Sequence, residues 1–387
     1  MTPAARVAAA IDILDTIAEG QPGEKALTNW ARSHRFAGSG DRAAIRDHVF
    51  DVLRRQRSCA ALGGGTTGRA LMIGALRIAG LDPAELFTGQ GYGPSPLTDD
   101  ETAFTADQLS EGEQLDCPDW LLPMFRDSLG DDTPAVLQQM QTRAPLFLRV
   151  NLAKGTVSDA IQALTDDGVG VEPHALSPAA LIVTSSPRRV QNGEAYKTGL
   201  VEIQDAASQA VVDLLPLRDG MSVLDYCAGG GGKSLAMAAR AEIDLTAHDR
   251  DQGRMVDIPV RAERAGADID VLNGEPVSGT TYDLVLCDVP CSGSGSWRRA
   301  PEAKWQFTPD RLIELCAIQA QILNETQALV SPGGCLAYVT CSMFNAENQD
   351  QIAKFLAANP AWSMVKDRAF TPLDGGDGFF VALLTRE

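Results

Sequence analysis

The run Ser222–Ser234, SVLDYCAGGGGKS, decides the fold. Val223 and Leu224 form a short apolar strand, Asp225 ends it, Gly229–Gly232 make a turn, and Lys233–Ser234 open a helix. Glycines let backbone pass close to a ligand, and the amides at a helix start face it with a favourable dipole. Two common ligand loops fail here. A phosphate-cradling loop needs glycine six residues before its lysine, and that position is Cys227. A dinucleotide GxGxxG fails because Gly229 and Gly231 are followed by Ser234, and Gly230 and Gly232 by Leu235. A nucleoside-type cofactor over the loop remains, with a glycine turn that holds no ligand as its alternative.

Outward from this run, strand and helix alternate. Helix Ser208–Leu215 leads into strand Ser222–Cys227, and helix Lys233–Arg240 leaves the turn. Strand Asp244–His248, helix Asp251–Ala265 and strands Asp268–Val271 and Tyr282–Cys287 follow. A helix from Thr308 to about Val330 is stopped by Ser331–Gly334; strand Cys335–Thr340, helix Glu347–Ala358 and strand Gly378–Leu384 close the set. That alternation marks a doubly wound α/β sheet. Before it, strand Leu146–Val150, helix Val157–Leu164, strand Ala179–Ser185 and strand Val201–Gln204 read as a small α+β module. Earlier still, Ala8, Ile11, Leu14 and Ile17, then Ile45, Val49, Val52 and Leu53, recur at helical spacing. Gly89–Asp116, rich in Gly, Pro, Ser and acids, reads as a linker or exposed loop. The expected domains are therefore 1–135 (helical, with the acidic linker), 136–207 (α+β) and 208–387 (the large α/β domain).

Composition sets bounds on function. The 387 residues, 44% apolar and 22% charged, match a globular chain of more than one domain. The longest apolar runs, such as Val211–Leu217, are far short of the ~20 residues of a membrane span. Met1–Gly20 carries Asp12, Asp15 and Glu19 and lacks a small-residue cleavage site, unlike a signal peptide. Eight cysteines without repeated CxxC spacing speak against a disulfide framework or a zinc knuckle, so the expectation is a cytoplasmic protein with reduced thiols and no metal. A net charge of −18 would count against a polyanionic partner, but it is unevenly spread. Residues 81–135 hold thirteen acids against one base, whereas the first 57 residues hold nine bases against seven acids.

In an open α/β sheet, ligands sit beyond the carboxyl ends of the strands, so the residues that follow each strand carry the chemistry. Asp249, twenty-four residues past Asp225, stands where an acid accepts from both hydroxyls of a ribose, or caps the next helix. The fourth strand ends in DVPCSGSG (Asp288–Gly295) and the fifth in TCS (Thr340–Ser342), placing Asp288, Cys291 and Cys341 on ligand-side loops. Cys59, Cys117, Cys227, Cys287, Cys316 and Cys335 read as packing. Of the four histidines, none lies near Cys291 or Cys341 in sequence, which disfavours a Cys–His protease pair. Trp297–Trp305, WRRAPEAKW, interleaves aromatics with Arg298, Arg299 and Lys304 and suits base stacking and phosphate contact, or a loop with two anchored tryptophans.

The set DYCAGGGGKS, AHDRDQGR, YDLVLCDVPCSGSGSWRR and YVTCS resembles the Sun (Fmu) family of RNA cytosine-5 methyltransferases, over about residues 143–387, with RVN at Arg149–Asn151 and IQDAASQ at Ile203–Gln209. The N-terminal part more faintly resembles the NusB-like RNA-binding domain of bacterial members. The resemblance implies a class I (Rossmann-like) methyltransferase domain, S-adenosyl-L-methionine as cofactor, ribosomal RNA as partner, and a monomer that binds neither metal nor membrane. It implies that Cys341 is the nucleophile, Cys291 the cysteine needed for product release, and Asp288 the acid at the cytosine edge. It places Cys227, Ala228, Gly229, Gly230, Gly231, Gly232, Lys233, Asp249, Arg254, Asn273 and Asp288 around the cofactor. Two positions depart from the family pattern: Gly230 stands where a proline is usual, and Asn273 where an acid is expected near the adenine. Elementary chemistry agrees. Carbon 5 of cytosine is a poor nucleophile until a thiolate adds at carbon 6, a step helped by a partly protonated Asp288, and expulsion of that thiolate needs a second group. Transfer RNA as substrate, a DNA cytosine methyltransferase, a small-molecule methyltransferase and a non-catalytic RNA-binding factor are the alternatives.

Overall fold

A computed structural model describes residues 1–276 and 279–386. In chain order its helical part comprises α1 (Pro3–Ala18), α2 (Gly23–Ser33), α3 (Ser39–Arg54), α4 (Gln56–Gly63), α5 (Gly68–Ile78), α6 (Asp99–Ala103), α7 (Glu111–Gln114), α8 (Leu122–Leu129) and α9 (Thr133–Met140). Next come β1 (Phe147–Val150), α10 (Val157–Asp166), β2 (Gly170–Pro173), β3 (Ala180–Ser185), α11 (Glu194–Lys197) and β4 (Val201–Ile203). The remainder is α12 (Ala206–Asp213), β5 (Ser222–Asp225), α13 (Gly232–Ala238), β6 (Asp244–Ala247), α14 (Ile258–Ala265), β7 (Asp270–Val271), β8 (Tyr282–Asp288), α15 (Pro301–Gln306), α16 (Pro309–Thr326), β9 (Val330–Thr340), α17 (Gln349–Ala358), β10 (Trp362–Phe370) and β11 (Phe379–Arg386). The chain divides into two compact units, residues 1–143 with 297–306, and residues 144–296 with 307–387. No helix among the described residues is long and apolar enough to cross a membrane.

The helical unit closes on Val7, Ile13, Leu14, Ile45, Val49, Val52, Leu71 and Ile73, the apolar stripes of α1, α3 and α5. Its surprise is the segment after Ser296. Trp297 and Arg298 are 2% and 1% exposed, and Lys304 is 3% exposed, while Arg299 and Ala300 are exposed, so of the two readings of this stretch the anchored loop fits and base stacking by Trp297 does not. Arg54 Nε donates to the Arg298 carbonyl at 2.8 Å, Trp305 Nε1 to the Leu53 carbonyl at 2.7 Å, and Lys304 Nζ to the Asp116 carbonyl at 2.6 Å. Gly89–Asp116 is likewise more than a linker. Capping boxes at Thr98/Glu101 and Ser110/Glu113 start α6 and α7, and Asp116, fully buried, accepts from the Ser58 amide and hydroxyl at 2.9 and 2.8 Å.

In the second unit, the described residues form two sheets. The small one, in order β2-β3-β1-β4, is antiparallel. The large one runs β10-β11-β9-β8-β5-β6-β7, with β9, β8, β5, β6 and β7 parallel and β11 and β10 antiparallel at one edge. Both faces are covered, so the middle of a central strand is apolar on both sides: Leu284 and Leu286 pack on one, Val285 and Cys287 on the other. The class I methyltransferase architecture expected from the sequence is therefore present. Three local readings need correction. The single helix expected over Asp251–Ala265 is a short 3-10 turn (Gln252–Met255) followed by α14, because Pro259 has no amide for the preceding turn and its ring would strike the carbonyl four residues back. Strand β9 begins at Val330, so Ser331–Gly334 already belong to it. Strands β2 and β10 were not expected at all, since β10 is an edge strand exposed over seven of its nine residues and lacks the apolar alternation that reveals a strand.

Candidate active site

The strand order reverses between β5 and β8, and the loops leaving the carboxyl ends of β5, β6, β8 and β9 converge there. Cys291, after β8, and Cys341, at the end of β9, bring their sulfurs within 3.4 Å of each other. The hydrogen bond between them is the main influence on both thiols: with Cys291 as donor, Cys341 is drawn below its ordinary value and Cys291 is held well above it. Burial and the charges of Asp288 and Glu347 oppose ionisation of Cys341, while Lys233 favours it. The pair is thus polarised, with Cys341 the more readily ionised thiol.

Backbone detail explains why the sequence here is PCSGSG. Gly295 N–H donates to the Cys341 carbonyl at 2.9 Å, and its own carbonyl accepts from Gly378. A Cβ at Gly295 would lie 2.0 Å from the Gly378 carbonyl oxygen, so only glycine lets the loop after β8 lie against β9 and β11. Beside the thiols, Lys233 Nζ donates to Asp288 Oδ2 at 2.6 Å and sits 5.0 Å from the centre of the Phe379 ring. Burial disfavours the ammonium of Lys233, but the Asp288 carboxylate outweighs it and pushes the lysine above its usual value.

The loop after β5 is held from two sides. Gly231 has φ +76°, and a Cβ there would meet Ile258 at 2.9 Å, so the left-handed turn requires glycine. Arg149 on β1 donates to the Gly232 carbonyl at 2.9 Å, and Gln204 Nε2 to the same oxygen at 3.1 Å. Asp249 accepts from the Gly229 amide at 2.9 Å and from the Asp251 amide at 2.9 Å, and lies 3.2 Å from Arg254. A cavity of about 270 Å³ opens beside it, lined among others by Tyr226, Asp249, Arg250, Glu275, Pro290 and Ile322. That is near the lower end of the roughly 300–1,000 Å³ typical of ligand pockets. Beneath the loop, Asp225 Oδ1 is buried without a partner, its other oxygen accepts from Ser234 at 2.6 Å, and burial pushes its carboxyl up to about 7. An acid beside a cleft to which Tyr226, Pro290, Ile318 and Ile322 give apolar lining suits a nucleoside.

Comparison with known proteins agrees with this geometry. Residues 212–385 match the model described as 16S rRNA methyltransferase RsmB/F, and residues 117–191 match its ferredoxin-like domain. The chain is 30% identical over 284 residues to ribosomal RNA small subunit methyltransferase B of Vibrio vulnificus, and 31% identical over 284 residues to that of Serratia proteamaculans, in each case covering 70% of this chain and 66% of the relative. The chain belongs to the RsmB/F methyltransferase family. It spans about two thirds of the length of these curated relatives. The solved structure of PH0851 superposes over 100% of this chain and 99% of its own, with TM-score 0.80 and 24% identity, and a methyltransferase homolog from Pyrococcus horikoshii over 72% and 100%, with TM-score 0.61 and 23% identity; at that identity the likeness is one of fold.

In this RsmB/F-family chain the structure gathers Cys291, Cys341, Asp288 and Lys233 at one point, and Cys227, Asp249 and Arg254 around the cavity. Ala228 and Gly229–Gly232 form the turn between those two groups. Asn273 is exposed just past β7 and does not line the cavity; Glu275, two residues on, does. Burial raises the thiols of Cys227 and Cys287, the latter to about 12, as befits packing cysteines. The sequence reading passed over Glu347, and noted Arg149 and Gln204 only as parts of motifs. Glu347 sits past β9, in a polar stretch that reads as an ordinary helix start, and only the fold shows that it faces both cysteine loops.

Proposed function

We propose that this chain transfers a methyl group from S-adenosylmethionine to carbon 5 of a cytosine in ribosomal RNA, with Cys341 as nucleophile and Cys291 serving product release. The observation that carries the reading is the 3.4 Å approach of the two thiols beside the Lys233–Asp288 pair. Asp249, the cavity lined by Tyr226 and Pro290, and the unpartnered Asp225 oxygen fit the adenosine and amino-acid portions of the cofactor. When bound, S-adenosylmethionine supplies an electrophilic methyl group on a sulfonium.

The chain's own residues do the rest. Cys341, drawn towards thiolate, adds to carbon 6 of the base and leaves carbon 5 electron-rich. The ammonium of Lys233, 2.6 Å from Asp288 Oδ2, is the proton donor beside the ring, and Asp288 holds the cytosine amino edge. After methylation the carbon 5 proton passes to the ionised sulfur of Cys291, the carbon 6–sulfur bond breaks with its electron pair returning to Cys341, and the proton taken up by the ring goes back to Lys233. Cys291, whose sulfur already touches that of Cys341, is the group at hand for this stage. The base must leave its stack to reach the thiols. Exposed bases among the first 57 residues, such as Lys25, Arg32 and Arg35, supply phosphate contacts.

Incubation with a labelled methyl donor and unmodified small-subunit ribosomal RNA, transfer RNA or DNA tests the reading. Label recovered as 5-methylcytosine in the ribosomal RNA is expected. Label confined to transfer RNA would move the substrate, and label confined to DNA, or none despite cofactor binding, would overturn the proposal.

A further inference from the structure

Glu347 is fully buried, and no cation among the described residues is paired with it. Every hydrogen-bond partner of its carboxylate is neutral. Oε1 accepts from the Ser292 amide at 2.8 Å and from Gln319 Nε2 at 3.0 Å; Oε2 accepts from the hydroxyls of Ser292 and Ser342. A carboxylate has about four acceptor sites, and all of them are used, leaving none for a substrate. Ser292 follows Cys291, and Ser342 follows Cys341. Gln319 also donates to the carbonyl of Pro290, so both neighbours of Cys291 are tied to the same node. Asn348 completes the grip on the other loop: it accepts from the Thr340 hydroxyl and donates to the Ser342 carbonyl at 2.9 Å.

Burying an unpaired carboxylate is unfavourable, and an apolar residue would fill the same space at less cost. Its presence therefore asks for a purpose beyond packing. We infer that Glu347 is a positioning residue that ties the two cysteine loops to one carboxylate and thereby sets the spacing of the two sulfurs. Its charge has a second consequence. Cys341 faces Cys291, Asp288, Lys233 and Glu347; Cys291 faces Cys341, Glu347 and Tyr338. Among these, Glu347 opposes thiolate formation at both cysteines and so keeps the shared proton between them.

The inference rests on the two-thiol reading above, and the test separates the two. Phenylarsine oxide, which condenses with two neighbouring thiols to a cyclic dithioarsenite and water, reports sulfur spacing without cofactor or RNA. The protein should bind it, and Cys291→Ala should not; absence of binding in the unmodified protein would sink the two-thiol reading itself. Glu347→Ala should weaken arsenical binding and lower kcat by about 100-fold, as a displacement of about 1 Å does, with KM for RNA little changed. Because that variant can fail to fold, Glu347→Gln is the second probe. It keeps the shape but not the charge, so it should retain arsenical binding while the acid limb of the kcat profile moves to lower pH. If both variants bind arsenical and turn over like the unmodified protein, or if Glu347→Gln loses activity with an unmoved pH profile, the positioning role is wrong.

Discussion

Two buried lysines, one in each unit, meet opposite fates. Lys233 and Lys304 are 7% and 3% exposed, and burial acts against the ammonium of both. Lys233 has the Asp288 carboxylate at 2.6 Å and is pushed upward. Lys304 donates to the carbonyls of Asp116 and Arg54, at 2.6 and 3.4 Å, and burial draws it down to about 8. Each ammonium lies near an aromatic ring, Phe379 for Lys233 and Trp305 for Lys304, one after a parallel strand and the other in the short helix α15. The difference teaches that residue type does not mark a site. A full charge held against a second full charge at the carboxyl end of a strand does; a charge spread over backbone carbonyls is structure.

That contrast can be broken or sharpened. Lys233→Met should lower single-turnover methyl transfer by roughly 100- to 1,000-fold, the usual effect of removing one preorganised charge, whereas Lys304→Met should leave the rate within about threefold. Equal losses would erase the distinction. Next in size, Trp297→Ala should cost the helical unit about 3–5 kcal/mol in chemical denaturation, as a buried tryptophan does. Unchanged stability with weakened RNA binding would restore the stacking role that the sequence suggested.

A pH effect follows from Lys304. Its folded value of about 8 lies below the ordinary 10.5, so between these limits the unfolded chain holds more protons than the folded one. Stability of the helical unit should therefore rise from pH 8 to 10.5, by at most about 3 kcal/mol, and Lys304→Met should flatten that rise. Denaturation at a series of pH values measures the slope. The smallest effect belongs to Glu101, held at about 2 chiefly by its hydrogen bonds from Arg69. Stability from this pair is present above the carboxyl's ordinary 4.5 and lost as pH falls towards 2; being near the surface, it should amount to less than about 1 kcal/mol, removable by Glu101→Gln.

Much of the catalytic unit was legible in the sequence because period and turn chemistry are local signals. Val223–Leu224, Leu284–Cys287 and Leu336–Val339 announce buried strands, and Gly229–Gly232 announces the turn between. Asp288, Cys291 and Cys341 stood out because each ends such a strand. What was not legible depends on contacts remote in sequence. Strand β10 gains its identity only by pairing with β11. Trp297–Gln306 contains both loop-like charge and core-like aromatics, and nothing local says that Leu53, Arg54 and Asp116 accept its donors. Glu347 is separated from Ser292 by fifty-five positions, and a lone acid before a helix gives no hint of four convergent donors.

The division of work between the two sulfurs is most directly tested by locating the bond to RNA. Cys291→Ala protein incubated with methyl donor and small-subunit ribosomal RNA, then digested and analysed by mass spectrometry, should yield a nucleotide attached to the peptide bearing Cys341, and Cys341→Ala protein should yield none. A nucleotide found on Cys291 of the Cys341→Ala protein, or no attachment in either variant, would show that the thiol pair does not work as described.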